Sequence, residues 1–325
     1  MTFVFVRIWK MLLAAAATVL VQGAALAQQV VNYGTQPATH PLYIAKALGL
    51  FAEIEKKHDI RIVLRVFPAG PPENAAMAAG ELQIASAGMG PAIIAAARLP
   101  ATLVGITILD QTAILVPKDS TAKTMADLRG KRVAFPGEGT QQYPLLLKAL
   151  ADAGMKHTDI VLFKTDGSQI PTLLQQKSVE AGITWDPHIS NALAAGHSRV
   201  LLTSDKIMPI KAGHYVGNGE YVHDAFLAKR PEVVQDIMNA NVKAIDFILK
   251  DPKAAAAMWS KEMGFPVNVI NYSLTERISV YNRNIVPDKA TVDAYVEFLK
   301  KAGILEAKDN VKVNTAFAEK ALSAK

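Results

Sequence analysis

The chain has 325 residues, half of them hydrophobic, which is enough for two domains of ordinary size, each with its own core. Cysteine is absent, so disulfides, thiolate catalysis and sulfur-ligated metals are excluded. The formal net charge of +6 comes without a basic run and gives no support for nucleic-acid binding.

The first residues read as an export signal. Arg7 and Lys10 precede an apolar stretch, residues 11–21, and Ala25-Leu26-Ala27 supplies a small-x-small cleavage site. The mature chain is therefore expected to begin near Gln28 with a charge of +4, because residues 1–27 hold two bases and no acid. An uncleaved signal anchor is the competing reading, but the apolar stretch is short for a membrane span. No later run reaches roughly 18 consecutive apolar residues. A soluble, exported protein is expected.

After the signal, strand-like and helix-like runs alternate, the pattern of an α/β fold. VVNYG (30–34) reads as a strand, and HPLYIAKALGLFAEIEKK as a helix interrupted at Gly49. IRIVLRVF (60–67) is a second strand, and PENAAMAAG a helix closed by Gly80, where a positive φ suits glycine. LQIASAG (82–88) is a third strand, followed by MGPAIIAAARLP, in which Pro91 falls where a first helical turn tolerates a missing N–H. ATLVGITI and TAILVPKDS continue as strands. Three strand-to-helix turns result: Gly34-Thr35-Gln36, Ala69-Gly70-Pro71-Pro72 and Gly88-Met89-Gly90.

A second series opens at TMADLRGKRVAF, where Thr124 and Asp127 fit a capping box and Gly130 ends a short helix before a strand over 132–135. The pattern then predicts a helix over 141–153, a strand over 159–164, a helix over 168–176, a strand over 180–185, a helix over 187–195 and a strand over 200–203. Between strand and helix lies the turn Pro136-Gly137-Glu138-Gly139-Thr140. From Tyr221 the chain is mainly helical and is expected to pack back on the first series. The predicted organisation is lobe 1 from residues 28–113 and 217–325, lobe 2 from residues 114–216, and two crossings between them.

The stretches VFPAGPPENAAMAAGELQIASAGMGPAI, ILVPKDSTAKTMADLRGKRVAFPGEGTQQYPLL and VEAGITWDPHISNAL, in that order, resemble the periplasmic solute-binding proteins of ABC importers for nitrate, taurine, aliphatic sulfonates and thiamine pyrimidine precursors. The resemblance implies a type II periplasmic binding protein: two lobes, each a mostly parallel sheet flanked by helices, closing on one small molecule. It implies first-lobe contacts from Thr35, Gln36, Ala69, Gly70, Gly88, Met89 and Gly90. From the second lobe it implies Gly139, Thr140, Gln141, Trp185 and Asp186, with His214 and Tyr215 where the chain returns through the hinge. The implied partners are a small solute and a membrane permease with its ATPase. No cofactor, metal or catalytic residue is expected, and the protein is expected to be a monomer.

Each position also has a plainer reading. Thr140 and the N–H groups around it form either an anion-binding nest at a helix start or a loop with an N-cap. Gly88-Met89-Gly90 lacks the third glycine of a dinucleotide fingerprint and is either a close ligand approach or a tight turn. Trp185 either walls the cleft or fills the core. Asp186 caps the helix at Pro187, or meets an ammonium on a ligand; a bare anion would want neither Asp186 nor Glu138 nearby. Arg65 and Arg98 are expected at the surface, so no bidentate clamp is visible. The seven histidines are scattered, with no metal spacing and surface or capping roles by default. No G-x-S-x-G elbow is present.

The expected function is capture of a sulfonate such as taurine or an alkanesulfonate. Nitrate, bicarbonate, a sulfate ester, an aromatic carboxylate or a thiamine precursor are the other solutes, and a ligand-presenting receptor subunit is the other role. An enzyme resembling those of thiamine-pyrimidine synthesis is the rival in another class. As the resemblance has it, those enzymes depend on histidine and cysteine chemistry, and this chain has no cysteine.

Overall fold

The computed structural model describes residues 28–323; the expected export signal lies outside the described residues. The first stretch runs β1 (Gln29–Thr35), α1 (Pro41–Ala47), α2 (Leu50–His58), β2 (Ile60–Val66), α3 (Gly70–Ala78), β3 (Ile84–Gly88), α4 (Met89–Arg98), β4 (Ala101–Gly105) and β5 (Ile108–Asp110). The second runs β6 (Thr112–Pro117), β7 (Arg132–Phe135), α5 (Gln142–Asp152), β8 (Val161–Lys164), α6 (Ile170–Gln175), β9 (Ala181–Trp185), α7 (His188–Ala194), β10 (Ser198–Thr203) and α8 (Ser204–Ile207). The chain returns through β11 (Asn218–His223) to α9 (Asp224–Lys229), α10 (Pro231–Lys250), α11 (Pro252–Met263), α12 (Val267–Thr275), β12 (Ser279–Tyr281), α13 (Lys289–Lys301) and α14 (Ala316–Ser323).

Two five-stranded sheets carry the two lobes, in the orders β2-β1-β3-β11-β4 and β10-β6-β9-β7-β8. Four strands of each sheet run the same way. The reversed one, β11 in the first and β6 in the second, is the strand by which the chain enters from the other lobe. β3, Ile-Ala-Ser-Ala-Gly with every residue buried, is an interior strand covered on both faces. Gly49, at φ 78°, separates α1 from α2, and Gly80, at φ 74°, ends α3. The Asp127 carboxylate accepts the Thr124 N–H at 2.8 Å and opens a single 3-10 turn.

The long amphipathic α10 buries Val233, Ile237 and Ile245 with Tyr33, Leu42 and Phe51 of the first lobe. That is the packing expected of a helix with no sheet of its own. α12 does otherwise and lies against α7 of the second lobe. The helix expected over 168–176 opens with a 3-10 turn at Gly167–Gln169, where Gly167 lies under the Trp185 ring; a Cβ there would fall 2.2 Å from it.

At the outgoing crossing, Asp110 and Gln111 both have φ 61°, two successive left-handed residues without glycine. Such conformations cost on the order of 1 kcal/mol each and persist where the surroundings fix them. The Asp110 carboxylate accepts the Tyr215 N–H at 2.8 Å and meets His214 Nδ1 at 2.6 Å, while Gln111 Nε2 donates to the Gly217 carbonyl at 2.9 Å. The outgoing and returning crossings are thus stitched to each other. β5 and β12 pair beside them.

Candidate ligand cleft

Helices α3, α4 and α5 begin where strands of the two sheets end, so three helix N-termini face one region between the lobes. The positive ends of three helix dipoles meet there. The cleft is lined from the first lobe by Gln36, Ala38, His40, Ala69, Gly70, Gly88 and Pro91. Gln111 lines it from the crossing, and Thr140, Gln141, Gln142 and Trp185 from the second lobe. Its cavity is about 10 Å³, room for a single water. A larger solute enters only if the lobes part.

The polar chemistry of the lining is dominated by glutamine. Gln141 Oε1, from the second lobe, accepts the Met89 N–H at the start of α4 at 2.9 Å, crossing the cleft. Gly88 makes room for it, since a Cβ there would lie 2.8 Å from the Gln141 side chain. Nε2 of both Gln141 and Gln142 donates to Thr112 Oγ1 at 3.3 Å. Gln36 Nε2 donates to Glu73 Oε2 at 2.9 Å. The Trp185 indole N–H reaches the Pro37 carbonyl at 3.4 Å, a second bridge between the lobes.

Seven of the sequence-predicted contacts line this cleft: Gln36, Ala69, Gly70, Gly88, Thr140, Gln141 and Trp185. Met89 contributes its N–H while its side chain is fully buried, and Gly90 lies against the Gln141 backbone. Thr35 stands one layer back, its hydroxyl 3.0 Å from His40 Nδ1. Gly139 sits at the mouth, facing Pro71. The Thr140 hydroxyl donates to the Gly137 carbonyl at 2.7 Å, so its proton is already engaged.

Three predicted contacts are placed elsewhere. The Asp186 carboxylate is fully buried and accepts the hydroxyls of Ser190, Ser273 and Ser279. Burial pushes it above the usual carboxylate range and the three hydroxyls pull it back. Tyr215 is buried with its hydroxyl on that of Tyr295, and His214 pairs with Asp110. Sequence reasoning missed Ala38, His40, Pro91, Gln111 and Gln142. His40, expected at the surface, is buried, because its ring fills the space between Thr35 and Asn218 at the start of α1.

The lining carries no Lys, Arg, Asp or Glu. Burial holds His40 down at about 3, so it is neutral. Glu73, behind Gln36, is pushed well above the carboxylate range by its own burial. Glu138 points to solvent, where a hydrogen bond from Lys164 at 2.7 Å holds it below that range and away from the cleft. Among the described residues no group of three or more metal-ligating side chains is clustered, and no helix is long and apolar enough to cross a membrane.

A family model described as NMT1/THI5 like matches residues 36–255. The crystal structure of the periplasmic aliphatic sulphonate binding protein SsuA from Escherichia coli superposes with a TM-score of 0.70 at 28% identity, covering 85% of this chain and 86% of that one. The taurine-binding periplasmic protein of Escherichia coli (strain K12) is 27% identical over 92% of this chain and 94% of its own. The 4-amino-5-hydroxymethyl-2-methylpyrimidine phosphate synthase of Aspergillus parasiticus is 27% identical over 85% and 82%. With two lobes of the periplasmic binding protein fold and a family match that spans more than half of its sequence, this chain belongs to the NMT1/THI5-like family.

Proposed function

We propose that this chain is the extracytoplasmic solute-binding component of an ABC importer, a monomer that captures a small organic solute between lobe 1 (28–113 and 217–325) and lobe 2 (114–216) and hands it to a permease and its ATPase. The preferred solute is a sulfonate such as taurine or an alkanesulfonate. The observation that carries the reading is the Met89 N–H at a helix start in one lobe, shared between the Gly217 carbonyl at 3.4 Å and, at 2.9 Å, an acceptor oxygen from the other lobe. A sulfonate oxygen offers the same chemistry at the same place, aided by three helix dipoles and no fixed charge. The likeness to binding proteins for sulfonates and taurine supports it.

No catalysis is proposed. The lining holds no carboxylate, no cation and one hydroxyl, and that hydroxyl donates to a backbone carbonyl. A neutral pyrimidine is the second solute, favoured by the uncharged lining beside the Trp185 ring.

The test is thermal unfolding of residues 28–325 against taurine, alkanesulfonates, sulfate esters, nitrate, bicarbonate, aromatic carboxylates and a thiamine pyrimidine. A solute held only by the folded protein stabilises it by about 2.7 kcal/mol at a hundredfold excess over Kd. A shift confined to sulfonates is expected. A shift with the pyrimidine alone replaces sulfonate by the second solute, and a flat panel from folded, ligand-stripped protein overturns the reading.

A further inference from the structure

Gln111 is a cleft residue whose hydrogen bonding is half complete. Its Nε2 donates to the Gly217 carbonyl at 2.9 Å, and since a carbonyl only accepts, that bond fixes which end of the amide is which. Its Oε1 is then buried and without a hydrogen-bond partner among the described residues, on a cleft-lining residue 2% exposed. The backbone beneath it is held just as firmly. Gln111 N–H donates to the Ile278 carbonyl at 3.0 Å, its own carbonyl accepts the Asp186 N–H at 3.0 Å, and its φ is 61°. A left-handed residue braced from three directions keeps its side chain where it stands. A buried acceptor left unmet is destabilising.

We propose that Gln111 Oε1 is the acceptor for an N–H group of the solute, so that the cleft selects solutes carrying an N–H donor as well as the oxygen acceptor that meets the start of α4. This rests on the reading of the cleft as a solute site and adds to it a residue and a donor requirement. The acceptor stands on the outgoing crossing itself, between Asp110 and β6. A solute N–H therefore engages the segment about which the lobes move, while its oxygens engage α4. Solutes lacking the donor leave Oε1 unmet on closure and are rejected.

The experiment is isothermal titration of residues 28–325 with pairs that exchange a methyl for a nitrogen donor group: 2-aminoethanesulfonate against propanesulfonate and β-alanine against butyrate, where the donor is an ammonium, and 4-amino-2-methylpyrimidine against 2,4-dimethylpyrimidine, where it is an uncharged amino group. In whichever head group binds, the N–H member is expected to bind roughly tenfold or more tighter. Gln111→Met keeps the length without the acceptor and is expected to reduce that ratio to less than about threefold, because the N–H member loses its acceptor and the donor-free member no longer leaves one unmet. Should the variant fail to fold, the wild-type pairs decide alone. Equal affinities within a binding pair overturn the inference and leave the solute site standing, as when a fixed water serves Oε1. An unchanged ratio in Gln111→Met also overturns it. Binding confined to a head group other than sulfonate overturns the solute preference and leaves the donor comparison in force. No binding by any pair overturns both.

Discussion

Closure of the cleft is most directly probed at Gly139. The residue lies at the mouth, on the turn before α5, and its φ is not left-handed, so alanine suits the local backbone. A Cβ built there falls 2.6 Å from Pro71 Cγ, on the first turn of α3 in the opposite lobe. Ordinary contact begins at 3.4–4 Å, so the lobes must withdraw locally by about 0.8–1.4 Å, because a proline ring cannot turn aside as a long side chain would. Overpacking of this kind costs about 1–3 kcal/mol. The cost falls only on the closed arrangement, so Gly139→Ala should weaken solute binding by roughly 5-fold to 150-fold. Both cores are untouched, and the melting of solute-free protein should change by less than about 0.5 kcal/mol. Calorimetry with the solute found by the thermal panel measures the first quantity, and adding Pro71→Ala should restore most of the loss. Wild-type affinity in Gly139→Ala would refute the reasoning, since the solute would then be held with the mouth wider than this packing allows.

Three further expectations rest on other contacts, the first on Glu220 of β11, which is buried and accepts the hydroxyls of Tyr33 at 2.6 Å and Ser86 at 2.7 Å. Burial pushes Glu220 up to about 7 from 4.5, so between those values the folded chain keeps a proton that the unfolded chain releases. Its contribution is therefore present below about pH 4.5 and lost as pH rises through 7, and the stability of Glu220→Gln relative to wild type should rise by about 3 kcal/mol from pH 4.5 to 8 in denaturant titrations; a flat difference contradicts this. Thr140→Ala removes the bond to the Gly137 carbonyl and should lower stability by about 1 kcal/mol while leaving affinity for an oxyanion within about twofold, and the opposite division would place the hydroxyl on the solute. Residues 28–325 hold two tryptophans, of which Trp185 lines the cleft and Trp259 is buried against Tyr281. A solute-induced change in indole fluorescence should vanish in Trp185→Phe and survive in Trp259→Phe.

The order of strands and helices was legible in the chain because apolar runs, glycine breaks and proline starts are local signals, and β1, β3, α4, α5 and β9 lie close to the runs that predicted them. Of the glycine turns at 88–90 and 137–139, Gly88 lines the cleft and Gly139 sits at its mouth. Gln111 could not be read this way. ATLVGITI and TAILVPKDS read as strands with Leu109-Asp110-Gln111 as a plain connection between them, and nothing local announces the paired left-handed residues that set Gln111 in the crossing. Asp186 shows the same limit. Its environment is made by Ser273 and Ser279, 87 and 93 residues further on, and no local pattern announces a partner at that distance. His40 looked like a surface histidine because sequence carries no measure of burial.

The reversed strand in each sheet also sets the order in which the molecule can be assembled. The second sheet is contiguous in the chain, from Thr112 to Thr203, and every strand it needs is adjacent in synthesis. The first is not: β4 pairs with β11 on one edge and, at Leu103, with residues 312–314 on the other, and β3 has β11 as its neighbour on that side, so both wait for residues 218–223, more than 110 positions after β4 ends. Until they arrive, two strands rich in small and apolar side chains expose unpaired edges, the usual template for wrong pairing between chains. The second sheet can be complete while the first is still open, and it is the late insertion of a six-residue strand, β11, that joins β3 to β4 in the first.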